Sequence, residues 1–178
     1  MRVITGEAKG RALETLEGED TRPTVARVKE GLFSAIAFEI AGRRVLDLFA
    51  GSGQMGIEAL SRGAVSCLFV DRNPKAAAVI GRNLASTKLA HRAAVVCGEA
   101  LSVLSRQTEP FDLVFLDPPY AANLLAPCLA LLSDKVSSGG AVLCESDRDT
   151  VLPETVGSLV LQRTYRYGRV VVRLYRKE

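Results

Sequence analysis

Residues 45–60 read VLDLFAGSGQMGIEAL, a strand-like run, a glycine turn and a helix-like run in succession. The opening VLDLF is apolar apart from Asp47, the composition of a strand covered on both faces rather than one with a wet side. Gly51, Gly53 and Gly56 follow in the spacing G-x-G-x-x-G, and the chain then turns helical. A strand, a glycine turn and a helix make the first half of a βαβ unit, whose turn lets a ligand approach the backbone. Asp71 closes the next apolar run, SCLFVDR (66–72), where an acid can take ribose hydroxyls.

Outward from this unit the alternation continues. Strand-like runs at 43–50, 66–72, 93–99, 111–116 and 139–146 are separated by helix-like segments at 56–64, 74–88, 100–107 and 123–135, the last interrupted by Pro127. SLVLQRTYRYG (158–168) and RVVVRLYRK (169–177) instead alternate apolar and polar residues around a Tyr-Gly-Arg break, the pattern of an antiparallel hairpin with one wet face. Residues 1–20 form a small irregular hairpin in this reading. Residues 23–40 form a helix with Pro23 at its start and Val25, Val28, Leu32, Ile36 and Ile40 on one stripe. The expected fold is α/β: a Rossmann-like sheet of seven strands, mostly parallel, closed by the antiparallel C-terminal hairpin. An N-terminal extension (1–40) precedes the main domain (41–178).

The totals exclude several classes. With 178 residues, 48% hydrophobic and 24% charged, the chain suits one domain with a sizeable core. No apolar run approaches a membrane span and the amino terminus lacks a signal-like stretch, so a cytoplasmic location is expected. Cys67, Cys97, Cys128 and Cys144 stand singly in apolar stretches and His91 is the only histidine, so neither a disulfide framework nor a metal site is expected; the cysteines read as reduced core thiols. His91, in a polar connector, also removes most Ser-His and Cys-His nucleophile schemes. Residues 158–178 carry six basic side chains against Glu178 alone, whereas residues 45–157 hold nine basic and twelve acidic ones. A weakly acidic middle with a basic tail suits a polyanion touching one edge.

Taken alone, the glycine loop fits a dinucleotide. Asp47 argues otherwise, because a carboxylate near the loop repels a pyrophosphate and welcomes an amino group, so an amino acid–nucleoside conjugate fits better. The second constellation, FDLVFLDPPY (111–120), ends an apolar strand in an acid, two prolines and a tyrosine. The prolines cost the sheet its ladder and give a rigid corner. Asp117 and the Pro118 carbonyl are then two acceptors converging on one spot, with Tyr120 offering a flat face beside them. That is what an exocyclic amino group of a nucleobase requires. Accepting its hydrogens frees the nitrogen lone pair, and positioning can supply several kcal/mol of the barrier without a strong base.

The loop resembles motif I of S-adenosylmethionine-dependent methyltransferases, and the corner resembles the D/N-P-P-Y/F/W motif of those acting on nucleobase amino groups. The first resemblance implies that Asp47, Phe49, Gly51 and Gly53 hold the methionine part of S-adenosylmethionine, Asp71 and Arg72 its ribose, and Glu99 and Ala100 the adenine. The second implies that Asp117, Pro118, Pro119 and Tyr120 carry the chemistry. More narrowly, RPTVARVKEGLFSAI (22–36), the stretch 45–64, FVDRNPKAAAVIGRNL (69–84) and FDLVFLDPPY resemble, in order, the small bacterial enzymes that methylate a guanine amine (N2) in 16S ribosomal RNA. That family's RPT segment and helix imply substrate contacts from Arg22, Thr24, Arg27 and Lys29; Arg166 and Arg169 are added from the basic tail. Ala26 departs from the pattern, which commonly has an acid there. The partner implied is 16S ribosomal RNA in the small subunit or its assembly intermediate, met by a monomer away from membranes. An adenine amino methyltransferase of DNA or RNA keeps the chemistry with another target. A nicotinamide-dependent oxidoreductase or a nucleotide-binding module is the alternative of another class.

Overall fold

The computed structural model describes residues 1–19 and 23–178. Among the described residues, eight strands form one sheet: β1 (Arg44–Leu48), β2 (Ser66–Asp71), β3 (Ala93–Cys97), β4 (Phe111–Leu116), β5 (Val136–Asp147), β6 (Thr155–Val156), β7 (Leu159–Tyr167) and β8 (Val170–Lys177). Their order is β3-β2-β1-β4-β5-β8-β7-β6. The first five pair in parallel, and β5-β8, β8-β7 and β7-β6 pair antiparallel. The strand order reverses between β1 and β4, which is where an open α/β sheet binds ligands, beyond the carboxyl ends of its strands. The expected sheet of seven strands gains an eighth, β6, because a two-residue edge strand is too short to leave a periodic signal.

The α-helices among the described residues are α1 (Pro23–Ala35), α2 (Gln54–Ser61), α3 (Pro74–Thr87), α4 (Ala100–Ser105) and α5 (Leu125–Leu132). Asn73 caps α3 by accepting from the Lys75 N–H at 3.0 Å, and Pro74 occupies a first-turn position whose missing N–H costs nothing. Pro127 likewise falls in the first turn of α5, so it marks a helix start rather than an interruption. The helix expected over 23–40 stops at Ala35 and gives way to a 3-10 turn at Ala37–Glu39.

Both faces of the sheet are covered. On one, Val28, Leu32 and Phe33 of α1, Ile57 and Leu60 of α2 and Ile80 of α3 pack with Val45, Phe69, Leu113 and Val172 of the strands, joined by Val3, Ala8 and Leu13 from the N-terminal segment. On the other, Leu104 of α4 and Cys128, Leu129 and Leu132 of α5 pack against Leu46, Val114, Val142 and Tyr175. Residues 1–13 form the expected irregular hairpin through one antiparallel bridge, Arg2 to Ala12. Cys67, Cys128 and Cys144 are buried thiols, but Cys97 is exposed, because β3 is the sheet's edge and leaves Val95 and Val96 partly open as well. No helix among the described residues is long and apolar enough to cross a membrane.

Candidate active site

β1 leaves the sheet into a loop that is bent tightly. The Phe49 and Ala50 N–H groups both donate to the Val70 carbonyl, at 3.0 and 2.9 Å. Phe49 adopts φ 71°, a left-handed backbone that a bulky residue takes only when its surroundings force it, and Gly51 and Gly53 follow at 57° and 82°. Asp71, at the exit of β2, secures the bend: its Oδ2 accepts from the Gly51 N–H and its Oδ1 from the Asn73 N–H, each at 2.9 Å. The third glycine serves packing, since a Cβ on Gly56 would lie 2.3 Å from Phe69 Cε1.

Asp47 is 3% exposed and accepts from the Gly56 N–H at 2.9 Å. Burial raises its pKa to about 7; the Gly56 hydrogen bond works against that, and the neighbouring charges of Asp71 and Glu19 add to it. Glu19 was not singled out from the sequence. Its Oε1 accepts from Ser52 Oγ at 2.9 Å and from the Ser52 N–H at 3.4 Å, while its Oε2 takes the Leu16 N–H. Buried Asn83 completes the bracing by donating to the Ser52 and Glu14 carbonyls and accepting from the Glu14 N–H. A carboxylate over the loop amides takes the place a pyrophosphate would need, which removes the dinucleotide reading on electrostatic grounds.

β4 lies beside β1 with Leu116 opposite Leu48, so the acid-Pro-Pro-Tyr corner begins next to the glycine loop. Solvent reaches Asp117 from the open side, yet the walls of the cleft push its carboxyl well above the ordinary range, and the charges of Glu145, Asp47 and Glu19 push it further. Tyr120 is 49% exposed, leaving a ring face free. Its hydroxyl points to Glu145 Oε1 at a long 3.5 Å. A shallow cavity of about 120 Å³ opens beside the corner between Pro119, Tyr120, Asn123 and residues 150–152.

The structure places Glu99 and Arg72 at the exits of β3 and β2, both largely exposed, with Arg72 Nη1 4.0 Å from Glu99 Oε1; Ala100 is buried at the start of α4. Along the carboxyl edge the order is therefore Glu99, Asp71, the Asp47 loop, Asp117 and Glu145. Arg166 and Arg169 reach the same edge because β8 runs antiparallel to β5: Val170 pairs with Asp147 at the site end, which puts the hairpin tip there. α1 packs on that tip, since a Cβ on Gly31 would meet the Tyr167 hydroxyl at 2.2 Å. Arg27, one turn earlier on α1, is exposed on the same side.

Lys29 takes a different position from the one expected. It is 2% exposed with Nζ 3.4 Å from Glu58 Oε2, because the N-terminal segment folds back over it. Glu58 in turn accepts from the N–H groups of Ile4 and Thr5 and from Arg62. The Lys29 ammonium is thus part of a buried hub, and burial lowers its pKa. Arg22 lies outside the described residues, and the backbone of Thr24 belongs to α1. Two further tail arginines are structural: Arg176 grips Glu39 with both terminal nitrogens, and Arg173 donates to Ser146 Oγ and the Thr150 carbonyl.

A family model described as conserved hypothetical protein 95 matches residues 1–176. A Bacillus subtilis (strain 168) protein, YlbH, provisionally named an rRNA methyltransferase, is 43% identical over 182 residues, covering 99% of each chain. Ribosomal RNA small subunit methyltransferase D of Escherichia coli (strain K12) is 36% identical over all of this chain and 90% of its own length. Among solved structures, yhhF from Escherichia coli, provisionally named a methyltransferase, superposes with a TM-score of 0.88 at 35% identity, covering 100% of this chain and 98% of that one.

Proposed function

The chain belongs to the family described as conserved hypothetical protein 95, and on that premise we propose that it transfers a methyl group from S-adenosylmethionine to the exocyclic amine (N2) of a guanine in 16S ribosomal RNA. The observation that carries the reading is the adjacency of the two loops: the glycine turn leaving β1 and the Asp117 corner leaving β4 start from paired residues, Leu48 and Leu116, at the topological switch point.

The donor set fits S-adenosylmethionine. Asp47 is a buried carboxylate and Asp117 one that is open to solvent on a single side, with Glu19 nearby, and no ion pair among the described residues neutralises them. Such a wall favours a ligand bearing positive charge, as this one does on its sulfonium and its amino group. In this reading Phe49, Gly51 and Gly53 let it approach the backbone, Asp71 and Arg72 meet the ribose, and Glu99 and Ala100 flank the adenine. Asp71 keeps lone pairs for hydroxyls after holding two backbone N–H groups. The cofactor supplies an electrophilic methyl carbon whose bonding electrons depart with sulfur.

The chain supplies aim. Asp117 and the Pro118 carbonyl take the two N–H bonds of the guanine amine, Pro119 holds the corner rigid, and the exposed face of Tyr120 stacks the base. With its hydrogens held, the nitrogen directs its lone pair at the methyl carbon, and its N–H becomes acidic only as the new bond forms. Arg27, Arg166 and Arg169 on the rim meet phosphates, with Arg22 and, in the first turn of α1, Thr24 assigned the same task by the family resemblance. A guanine in folded RNA leaves its stack to reach the corner. The substrate is the small subunit or its assembly intermediate, and one copy of the chain suffices.

The test is transfer from labelled S-adenosylmethionine to small ribosomal subunits from a strain lacking this protein, followed by mapping of the methylated nucleotide. A single methylated guanine supports the reading, and Asp117→Ala should abolish the label while cofactor binding persists. A methylated adenine, or labelling that survives Asp117→Ala, would overturn it.

A further inference from the structure

β4 and β5 run parallel with Leu116 opposite Cys144. Asp117 and Glu145 each come one residue later, so Asp117, just past the end of β4, and Glu145, still within β5, stand side by side on the same face of strands ~4.8 Å apart. The methyl-transfer scheme uses Asp117 and leaves Glu145 unused, although Glu145 is half-buried at the very edge where the chemistry is placed.

Among the described residues, the charged and titratable groups around Glu145 come from three elements. From the β4 exit come Asp117 and Tyr120, whose hydroxyl reaches Glu145 Oε1 at 3.5 Å. On its own strand Asp147 is occupied, accepting from the Thr150 N–H and Oγ1 and from the Asp149 N–H. From β8, Arg173 lies opposite Cys144 but spends its guanidinium on Ser146 Oγ and the Thr150 carbonyl, at 2.6 and 2.7 Å. No ion pair among the described residues joins a cation to either Asp117 or Glu145. Two carboxyls side by side, with no cation among the described residues paired to them, resist a second negative charge, so an ionised Glu145 makes Asp117 hold a proton more strongly. Crowding by protein on their enclosed sides acts on both in the same direction.

We propose that Glu145 is a positioning residue that acts through Asp117: its charge, steadied by the Tyr120 hydroxyl, makes Asp117 an effective acceptor for the proton that the methylated amine sheds. The inference rests on the methyl-transfer reading. Once the nitrogen lone pair has bonded to the methyl carbon, and the former carbon–sulfur pair has stayed on sulfur, the nitrogen carries two hydrogens and a positive charge. One N–H bond breaks, its electron pair returns to nitrogen, and the proton moves to the Asp117 carboxylate and then to water. A lone carboxylate of ordinary acidity would take it less readily.

Two measurements on the intact protein test this. Carboxyl carbon NMR of the cofactor-free protein should show Asp117 titrating in two steps, collapsing to one step at lower pH in Glu145→Gln, a nearly isosteric change that keeps an acceptor for Tyr120. Single-turnover methyl transfer in Glu145→Gln should have its acid limb displaced to lower pH by about one unit and its plateau lowered about tenfold, with Glu145→Asp restoring much of both. S-adenosylhomocysteine affinity should stay unchanged. A general loss of rate without movement of the limb, or one-step titration of Asp117 in the parent protein, overturns the proposal. A parent protein that methylates no RNA while its Asp117 still titrates in two steps overturns the methyl-transfer reading and the use of the pair, but not the pairing.

Discussion

Asp47→Asn exchanges stability for function, and the sign of its effect depends on pH. Asp47 is almost fully buried, and burial is the main cause of a pKa of about 7 against an ordinary 3.8. Above about pH 7 it is therefore ionised in both the folded and the unfolded chain, and the folded state bears the cost of an enclosed charge. The difference between 3.8 and about 7 corresponds to ~4 kcal/mol. Asparagine removes that cost and keeps an oxygen for the Gly56 N–H. Its amide hydrogens need partners the carboxylate did not, at ~2 kcal/mol. The net gain near pH 8 is thus ~2 kcal/mol, a rise in Tm of ~4–8 °C for a chain of this size. Because the folded pKa is the higher one, the folded chain binds the extra proton between pH 3.8 and about 7, and the parent regains its stability as pH falls through that window. Near pH 4 only the amide cost remains and the variant should melt below the parent. Thermal melts at the two pH values check this. A difference in Tm of the same sign and size at both would refute burial as the origin of the raised pKa. The same variant should bind S-adenosylmethionine more weakly near pH 8.

Gly56→Ala should cost ~1–3 kcal/mol by overpacking, because its Cβ would stand 2.3 Å from Phe69 Cε1 and 2.7 Å from Cys67 Sγ; denaturant melts would show a lower midpoint at unchanged slope. Glu58→Gln leaves the buried Lys29 ammonium without its partner and should destabilise by ~3 kcal/mol, with proteolysis attacking the N-terminal segment first if the hub is what holds Ile4 and Thr5. Arg166→Ala with Arg169→Ala should weaken RNA binding, lower the slope of log affinity against log salt by ~1–2, and leave S-adenosylhomocysteine binding unchanged; an unchanged salt slope would remove the hairpin tip from the RNA surface.

The parallel sheet, its closing hairpin and the two loops at its carboxyl edge were legible because each leaves a local mark: uninterrupted apolar runs, a change to alternation, glycine spacing, paired prolines. What was not legible depends on where distant segments meet. Glu19 sits in the acidic GEDT stretch and looks like any solvated loop charge until the N-terminal segment folds across Ser52. Lys29 has the pattern of a wet helix position, and only the return of residues 4 and 5 to Glu58 encloses it. Glu145 ends an apolar strand as a capping acid would, and its meaning comes from the register of β5 on β4. Nor does composition say which parallel strand is outermost, so β3 read as a core strand and Cys97 as a core thiol.

The distribution of charge at the carboxyl edge separates the two substrates of the proposed reaction. The cleft floor holds Asp47, Glu19, Asp117 and Glu145, whereas Arg27, Arg166 and Arg169 stand on the rim. A phosphate chain is attracted to the rim and repelled from the floor, so the part of an RNA that descends is an uncharged base presented by its amino edge. A cationic donor is welcomed by the floor, and its arrival cancels part of the charge that would otherwise repel the RNA. Donor and RNA therefore bind with favourable coupling through the same carboxylates. Once the methyl has gone, the neutral thioether no longer offsets them, which favours its replacement by a fresh cation. In the proposed reaction the carboxyl pair at the corner would thus contribute twice, to holding the amine through Asp117 and to distinguishing donor from spent donor, and both contributions would weaken as pH falls and the floor takes up protons.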